Sequence, residues 1–190
     1  MSIILGIDPG YDRVGFGVIN HLGVGKLEYI NSGIIHTPKE LTVGQRLSMI
    51  RQDLRMLISD TTPSQMALEA LFYFKNAKTV IPVAQARGVI LETANFKGLE
   101  TFEYTPSQIK LNLTGNGKAL KQDIQHAVAR LLNLSQIISS DDASDALAIA
   151  ICHTRFLEAS RRFSSHKPVN DEDLNDYLDL NSEVNYDILN

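Results

Sequence analysis

The run Ile3-Ile4-Leu5-Gly6-Ile7-Asp8-Pro9-Gly10 constrains this chain more than any other, because it drives an apolar segment inward and ends it on one carboxylate. Too short to span a bilayer, a stretch this rich in isoleucine and leucine reads as a fully buried strand that stops at the proline. An aspartate at the end of such a strand is costly to desolvate unless its charge is compensated, and a metal cation would compensate it. Taken alone, Asp8 serves equally well as a cap for the Pro-Gly turn. The next segment, Val14-Gly15-Phe16-Gly17-Val18-Ile19, predicts a second strand running back beside the first, with its glycines permitting close approach.

Lys26 to His36 reads as a third antiparallel strand after the turn at His21–Gly25, so three strands precede any helix. Thr42 offers an N-cap to a helix carrying Leu47, Ile50, Leu54, Leu57 and Ile58 at helical spacing, which ends at Asp60-Thr61-Thr62-Pro63. Gln65-Met66-Ala67-Leu68-Glu69 is a short strand that, like the first, finishes on an acid. Leu71-Phe72-Tyr73-Phe74-Lys75-Asn76 then sets aromatics beside a lysine where a loop is expected, a pattern suited to stacking on bases or, equally, to plugging the core. From Ala77 to about Asn95 the chain predicts a helix apolar on most sides, the mark of an element covered by a second layer or a second subunit.

Glu100–Tyr104 is a fifth strand, and Pro106 opens a short helix. Thr114-Gly115-Asn116-Gly117-Lys118 lacks the first glycine and the final Ser/Thr of a phosphate loop and reads as a flexible loop. It feeds a helix from Lys118 to Leu132, with Lys118 and Lys121 at an N-terminus that favours phosphate. Ser139-Ser140-Asp141-Asp142 caps the last long helix, on which Asp142 and Asp145 share a face, among alanines that would let it lie close to the sheet. Capping and the helix dipole account for Asp141 and Asp142 on their own, and for Asp145 less well.

The 190 residues contain no apolar run long enough for a membrane span, no export signal and one cysteine, Cys152, which fits a protein of the reducing cytoplasm. The net charge of −4 is unevenly spread: residues 1–167 carry +3, and residues 168–190 hold seven acids and no lysine or arginine. Lys75 to Arg130 holds eight basic residues against four acids, and is where a phosphate-contacting surface would lie. Residues 1–163 are therefore expected to form one domain and 164–190 an acidic, disordered tail. That tail either keeps the chain soluble or competes with nucleic acid for the basic face.

Asp8, Glu69 and the pair Asp142 and Asp145 each bring acid to the end of a hydrophobic element, and together they suggest one site. Oxygen ligands with no Cys or His cluster favour magnesium or manganese over zinc. Two such ions, about 3.5–4 Å apart, can activate water and stabilise the leaving oxygen of a phosphodiester displacement, which is nuclease chemistry. His153 falls eight residues beyond Asp145, about 12 Å along a helix, and reads as a packed histidine rather than a general base.

Gly6-Ile7-Asp8-Pro9-Gly10, Leu68-Glu69 followed by Phe72 and Lys75-Asn76-Ala77, Gln85-Ala86-Arg87-Gly88, and Asp142-Ala143-Ser144-Asp145-Ala146-Leu147-Ala148-Ile149-Ala150 closely resemble, in order and spacing, the RuvC Holliday-junction resolvases. The resemblance covers roughly residues 1–156. It implies an α/β, ribonuclease H-like fold: a five-stranded mixed sheet, three antiparallel strands then two parallel, flanked by helices. It also implies a homodimeric, magnesium-dependent endonuclease that resolves four-way DNA junctions by symmetric paired nicks. On motif match Asp8, Glu69, Asp142 and Asp145 would be the catalytic acids and would hold two Mg2+ ions, with Mn2+ able to substitute. Phe72 would stack on bases beside Lys75, and Lys110 and Lys121 match basic residues used on DNA; Lys118, outside the match, is an additional basic residue of the same region that would bind DNA with them. The helix from Ala77 would belong to the dimer interface, and the branch-migration proteins RuvA and RuvB would be partners. Two readings stay open beside this one: a related enzyme that trims RNA, and a structural junction-binding protein with a dead site. An actin-like kinase is disfavoured by length.

Overall fold

The computed structural model describes residues 1–71 and 80–164. The chain divides into two units, Met1–Phe156 and Leu157–Asn190, and the architecture that follows is that of the first. Phe72, Lys75, the expected start of a helix at Ala77 and the acidic tail from 165 onward lie outside the described residues.

Strands β1 (Ser2–Asp8), β2 (Arg13–Gly23) and β3 (Lys26–His36) form an antiparallel meander, and β4 (Gln65–Glu69) and β5 (Glu100–Tyr104) extend it in parallel, in the order β3-β2-β1-β4-β5. This is the mixed sheet the sequence predicts. Helix α1 (Val43–Thr61) starts at Thr42, whose side chain accepts from the Gln45 amide while Gln45 accepts from the Thr42 amide, a reciprocal capping box. It ends at Thr62 in the left-handed region, just before Pro63.

The pleat divides the core. Leu5, Ile7 and Val18 face one side with Met66 and Leu68, where Ile50, Leu54 and Ile58 of α1 and Ala86, Ile90 and Ala94 of α2 (Val80–Phe96) cover them. Ile4, Gly6 and Asp8 face the other, where α5 (Asp141–Ser164) lies, flanked by α3 (Pro106–Thr114) and α4 (Lys121–Leu131).

Helix α5 rests on the strand backbone itself. A β-carbon at Gly6 would stand 2.0 Å from the Ala146 carbonyl oxygen, one at Gly15 2.1 Å from that of Asp142, and one at Gly17 2.6 Å from the Leu147 amide nitrogen. These glycines therefore make room for a helix, and not for a neighbouring strand as the sequence alone suggests. The alanine spacing of α5 completes the fit, with Ala143, Ala146 and Ala150 all buried.

Deeper along α5, His153 accepts or donates at both ring nitrogens, 2.7 Å from the Tyr104 hydroxyl and 3.1 Å from the Gln65 side-chain oxygen, and packs on Phe102. Burial pushes its pKa down to about 4. This is the packed histidine expected from its spacing. Among the described residues no helix is long and apolar enough to cross a membrane.

Two glycines give opposite expected outcomes. Gly17→Ala must displace α5 and destabilises by about 1–3 kcal/mol or more. Gly44→Ala, in α1 with nothing within 4 Å of its added carbon, is stabilising by about 0.4–1 kcal/mol. Urea unfolding of the two variants against wild type checks both signs.

Candidate functional site

Asp8 is the last residue of β1 and pairs with Gly15 of β2. The parallel register that sets Ile7 beside Leu68 puts Glu69, at the end of β4, next to Asp8 on the α5 side of the sheet. Asp142 and Asp145 arrive from the first turns of α5, whose backbone is locked against Gly15 and Gly6. The four acids thus meet because two strand ends and one helix start converge. Burial, first, and then the charges of Glu69, Asp145 and Asp142 push the Asp8 carboxyl up to about 7, with Lys121 opposing. Burial likewise holds Asp145 above the usual carboxylate range, again opposed by Lys121.

Asp141, adjacent in sequence, is not part of this convergence. Its carboxylate accepts from the Gln125 amide at 2.9 Å and pairs with Lys121 at 3.1 Å, both on α4. Motif spacing selects Asp142 over Asp141, and the charges that raise Asp8 do the same.

The basic residues separate into two groups. Lys121, the first residue of α4, reaches Asp145 at 3.4 Å, and together with Lys110, Glu69 and Asp145 it lines a cleft of about 190 Å³ between α3, α4 and α5. Lys118 is exposed and does not line that cleft. Helix α4 begins at Lys121 and not at Lys118, because Lys118 sits in a turn closed by its own hydrogen bonds: the Asn116 side chain accepts from the Lys118 amide, and the Asn116 carbonyl from Ala119. The expected flexible loop is therefore a built turn. Phe72 and Lys75 lie outside the described residues.

Three arginines that sequence reasoning left without a role support the site. Arg87 is a charged residue on the otherwise greasy helix α2; its guanidinium donates to the Glu69 carbonyl at 2.8 Å and pairs with Glu103, fixing the end of β4. Arg46, 6% exposed, ties down the turn after Asp8. It donates to the Thr37 hydroxyl at 3.0 Å and the Tyr11 carbonyl at 3.3 Å, pairs with Asp12, and lies 3.8 Å over the Tyr11 ring. Arg13, the first residue of β2, donates to Asp142 at 2.6 Å. A lone arginine within an apolar helical pattern is the signal that could have singled out Arg87; Arg46 shares α1 with Arg51 and Arg55 and carries no such mark.

Four carboxylates on adjoining elements, all oxygen donors and mutually repelling, fit a hard divalent cation by their chemistry. As the side chains stand, no three His, Cys, Asp or Glu among the described residues are grouped to hold an ion. Asp142 is turned onto Arg13 and Asp145 onto Lys121.

The raised Asp8 carboxyl has a stability consequence for the metal-free protein. Its proton is held in the folded state up to about pH 7 but is lost near 3.8 when unfolded, so the stabilisation present at low pH disappears as pH rises through that window, by at most ~4 kcal/mol. Asp8→Asn should flatten this dependence and raise the melting temperature at pH 8 by several degrees. Thermal unfolding in EDTA from pH 5 to 8 checks it, and an unchanged slope in the variant contradicts it.

Comparison with known proteins agrees with this geometry. The family model described as "Crossover junction endodeoxyribonuclease RuvC" matches residues 4–153. A crossover junction endodeoxyribonuclease RuvC of Pseudothermotoga lettingae is 41% identical over 162 residues, 85% of this chain and 99% of the relative. That of Thermosipho melanesiensis is 45% identical over 156 residues, 80% of this chain and 99% of the relative. Among solved structures, Thermus thermophilus RuvC in complex with a Holliday junction substrate superposes with a TM-score of 0.80 at 26% identity, covering 84% of this chain and 97% of that one. The yeast mitochondrial Holliday junction resolvase Ydc2 shares the fold at a TM-score of 0.63 and 14% identity, covering 84% of this chain and 82% of that one. With a matched family model over most of its length and relatives above 40% identity, this chain belongs to the RuvC family of crossover junction endodeoxyribonucleases.

Proposed function

We propose that this protein resolves four-way DNA junctions by paired, symmetric nicks, working as a homodimer in the cytoplasm, with Asp8, Glu69, Asp142 and Asp145 as its catalytic acids. The observation that carries this reading is the convergence of those acids on a carboxyl, Asp8, that burial first and then the charges of its three neighbours push up to about 7. Such a cluster is held in place by the fold at an electrostatic cost that a bound divalent cation would relieve. Two Mg2+ ions, or Mn2+ in their place, would supply activation of water and neutralisation of the leaving oxygen.

The remaining work belongs to the chain's own side chains. Asp8 and Glu69, at strand ends, would hold the ions. Asp142 and Asp145, which face Arg13 and Lys121, would complete the ligand set from α5. Lys110 and Lys121, on the wall of the cleft, bind the backbone of the cut strand, and Lys118 contacts phosphate further out. Phe72 stacks on bases at the junction centre, beside Lys75. Residues 1–163 make up the nuclease domain and 164–190 its acidic appendage. The exposed apolar residues Leu71 and Ile81, the latter 66% exposed on the first turn of α2, support a second subunit packing there. RuvA and RuvB would act with it on the same DNA.

Magnesium-dependent nicking of a synthetic four-way junction, measured against a linear duplex of matched sequence, tests the proposal. Wild type should give paired nicks in the junction only. Asp8→Asn should retain junction binding and lose at least about a hundredfold in rate, ~2.7 kcal/mol of barrier. Equal cutting of the duplex would remove the junction assignment, preferential cutting of RNA would favour an RNA-trimming enzyme, and binding without any cleavage would point to a structural protein.

A further inference from the structure

Arg13 is placed where neither strand pairing nor core packing explains its side chain. It is the first residue of β2, on the same face as Gly15 and Gly17, and therefore on the α5 side of the sheet. Gly15 brings the strand backbone so close to Asp142 that an added carbon would lie 2.1 Å from its carbonyl oxygen. The Arg13 side chain, two residues earlier, consequently reaches over the start of α5, and its Nε donates to the Asp142 carboxylate at 2.6 Å. The root of that side chain is firmly held. Asp12 pairs with the buried Arg46, and its carbonyl accepts from the Thr37 amide at 3.0 Å. The side chain as a whole is half exposed, at 52%.

On the far side of the cluster Lys121 plays the matching part, pairing with Asp145 at 3.4 Å and with Asp141 at 3.1 Å. Two cations from different elements thus each engage one acid of α5, Arg13 holding Asp142 and Lys121 holding Asp145. Lys121 is one wall of the cleft, whereas Arg13 comes from the β1–β2 side, which does not line that cleft. A guanidinium carries a permanent charge and a planar fork that suits a carboxylate or a phosphate equally well. A divalent ion ligated by Asp142 would repel it, and a strand lying across the acids would offer it phosphate oxygens within the reach of an arginine side chain.

We propose that Arg13 is a displaceable counter-ion: it holds Asp142 when no divalent cation is bound, and passes to a backbone phosphate of the DNA when the cation takes Asp142. Arg13 acts on the reaction through Asp142 and is in that sense a positioning residue. The inference rests on the carboxylate cluster being the metal site, as argued above. It makes metal loading and strand binding mutually supporting, since each removes the competitor of the other.

The test uses the full-length protein and the variants Arg13→Gln, Arg13→Lys and Asp8→Asn. Free Mn2+ is measured by electron paramagnetic resonance without DNA, and binding by the cluster is the difference between wild type and Asp8→Asn, which cancels ions held by the acidic tail. Arg13→Gln should bind Mn2+ roughly two- to fivefold more tightly than wild type, the range for removing one exposed ion pair, with Arg13→Lys between the two. In a second measurement, affinity for a synthetic four-way junction is followed against salt with Ca2+ in place of Mg2+. Arg13→Gln should lower the slope by about 0.9 per bound subunit in Ca2+, and leave it unchanged in EDTA. Unaltered Mn2+ affinity in Arg13→Gln overturns the proposal, and so does a salt slope that fails to change in Ca2+ or changes equally in EDTA. If wild type and Asp8→Asn bind Mn2+ alike, the metal-site reading itself is at fault and the counter-ion proposal falls with it.

Discussion

The contact on which the rest of this molecule depends is the seating of α5 directly on the backbone of β1 and β2. Gly6, Gly15 and Gly17 leave the strand surface bare along the line where the helix lies, so helix and sheet meet main chain to main chain instead of through interdigitating side chains. A helix held at ordinary side-chain distance would carry Asp142 and Asp145 away from Asp8. The alanines of α5 serve the same end from the opposite side, and the apolar packing beneath α1 and α2 supplies the stability that keeps the sheet flat against the helix.

That precision creates an electrostatic problem, because bringing four acids to one place raises the energy of each. The protein manages it with arginine and lysine supplied from separate elements. Arg87 acts on the main chain of Glu69 and on Glu103, so it stiffens the end of β4. Arg46 stiffens the turn after Asp8 in the same manner. Arg13 and Lys121 instead touch the acids themselves. The first pair is buried and structural; the second is partly exposed and free to exchange partners. Burial thus sorts the cations by role, since a desolvated arginine cannot leave its partners without a large penalty.

Most of the scaffold was legible in the sequence, for local reasons. Period-two and period-3.6 patterns, the Thr42 cap, and prolines at 63 and 106 fix where elements start and stop with no reference to the rest of the chain. Asp8 and Glu69 stood out because each ends an apolar strand. What the sequence did not disclose depends on contacts between distant segments. The glycines of β2 look like allowances for a neighbouring strand until α5 is in place. Arg46 finds its partners at Tyr11, Asp12 and Thr37, and nothing in the helical pattern of α1 marks it as buried. The turn at Thr114–Lys118 is composed like a flexible loop, yet its Asn116 bonds both ways and delays the start of α4 to Lys121. Arg13 is the furthest from legible, since its partner lies 129 residues away.

The glycine floor also bears on how such a protein can evolve. Any single-base change in a glycine codon that alters the residue adds at least one carbon, and beneath α5 there is no room for it. Drift at these three positions is therefore one-sided: no smaller residue exists to move through, and shrinking a side chain of α5 gives little room, because the nearest atoms are the helix main chain at Ala146, Asp142 and Leu147. The rim of the site is under no such constraint, because a half-exposed side chain such as Arg13 can be exchanged without moving the backbone that aims the acids.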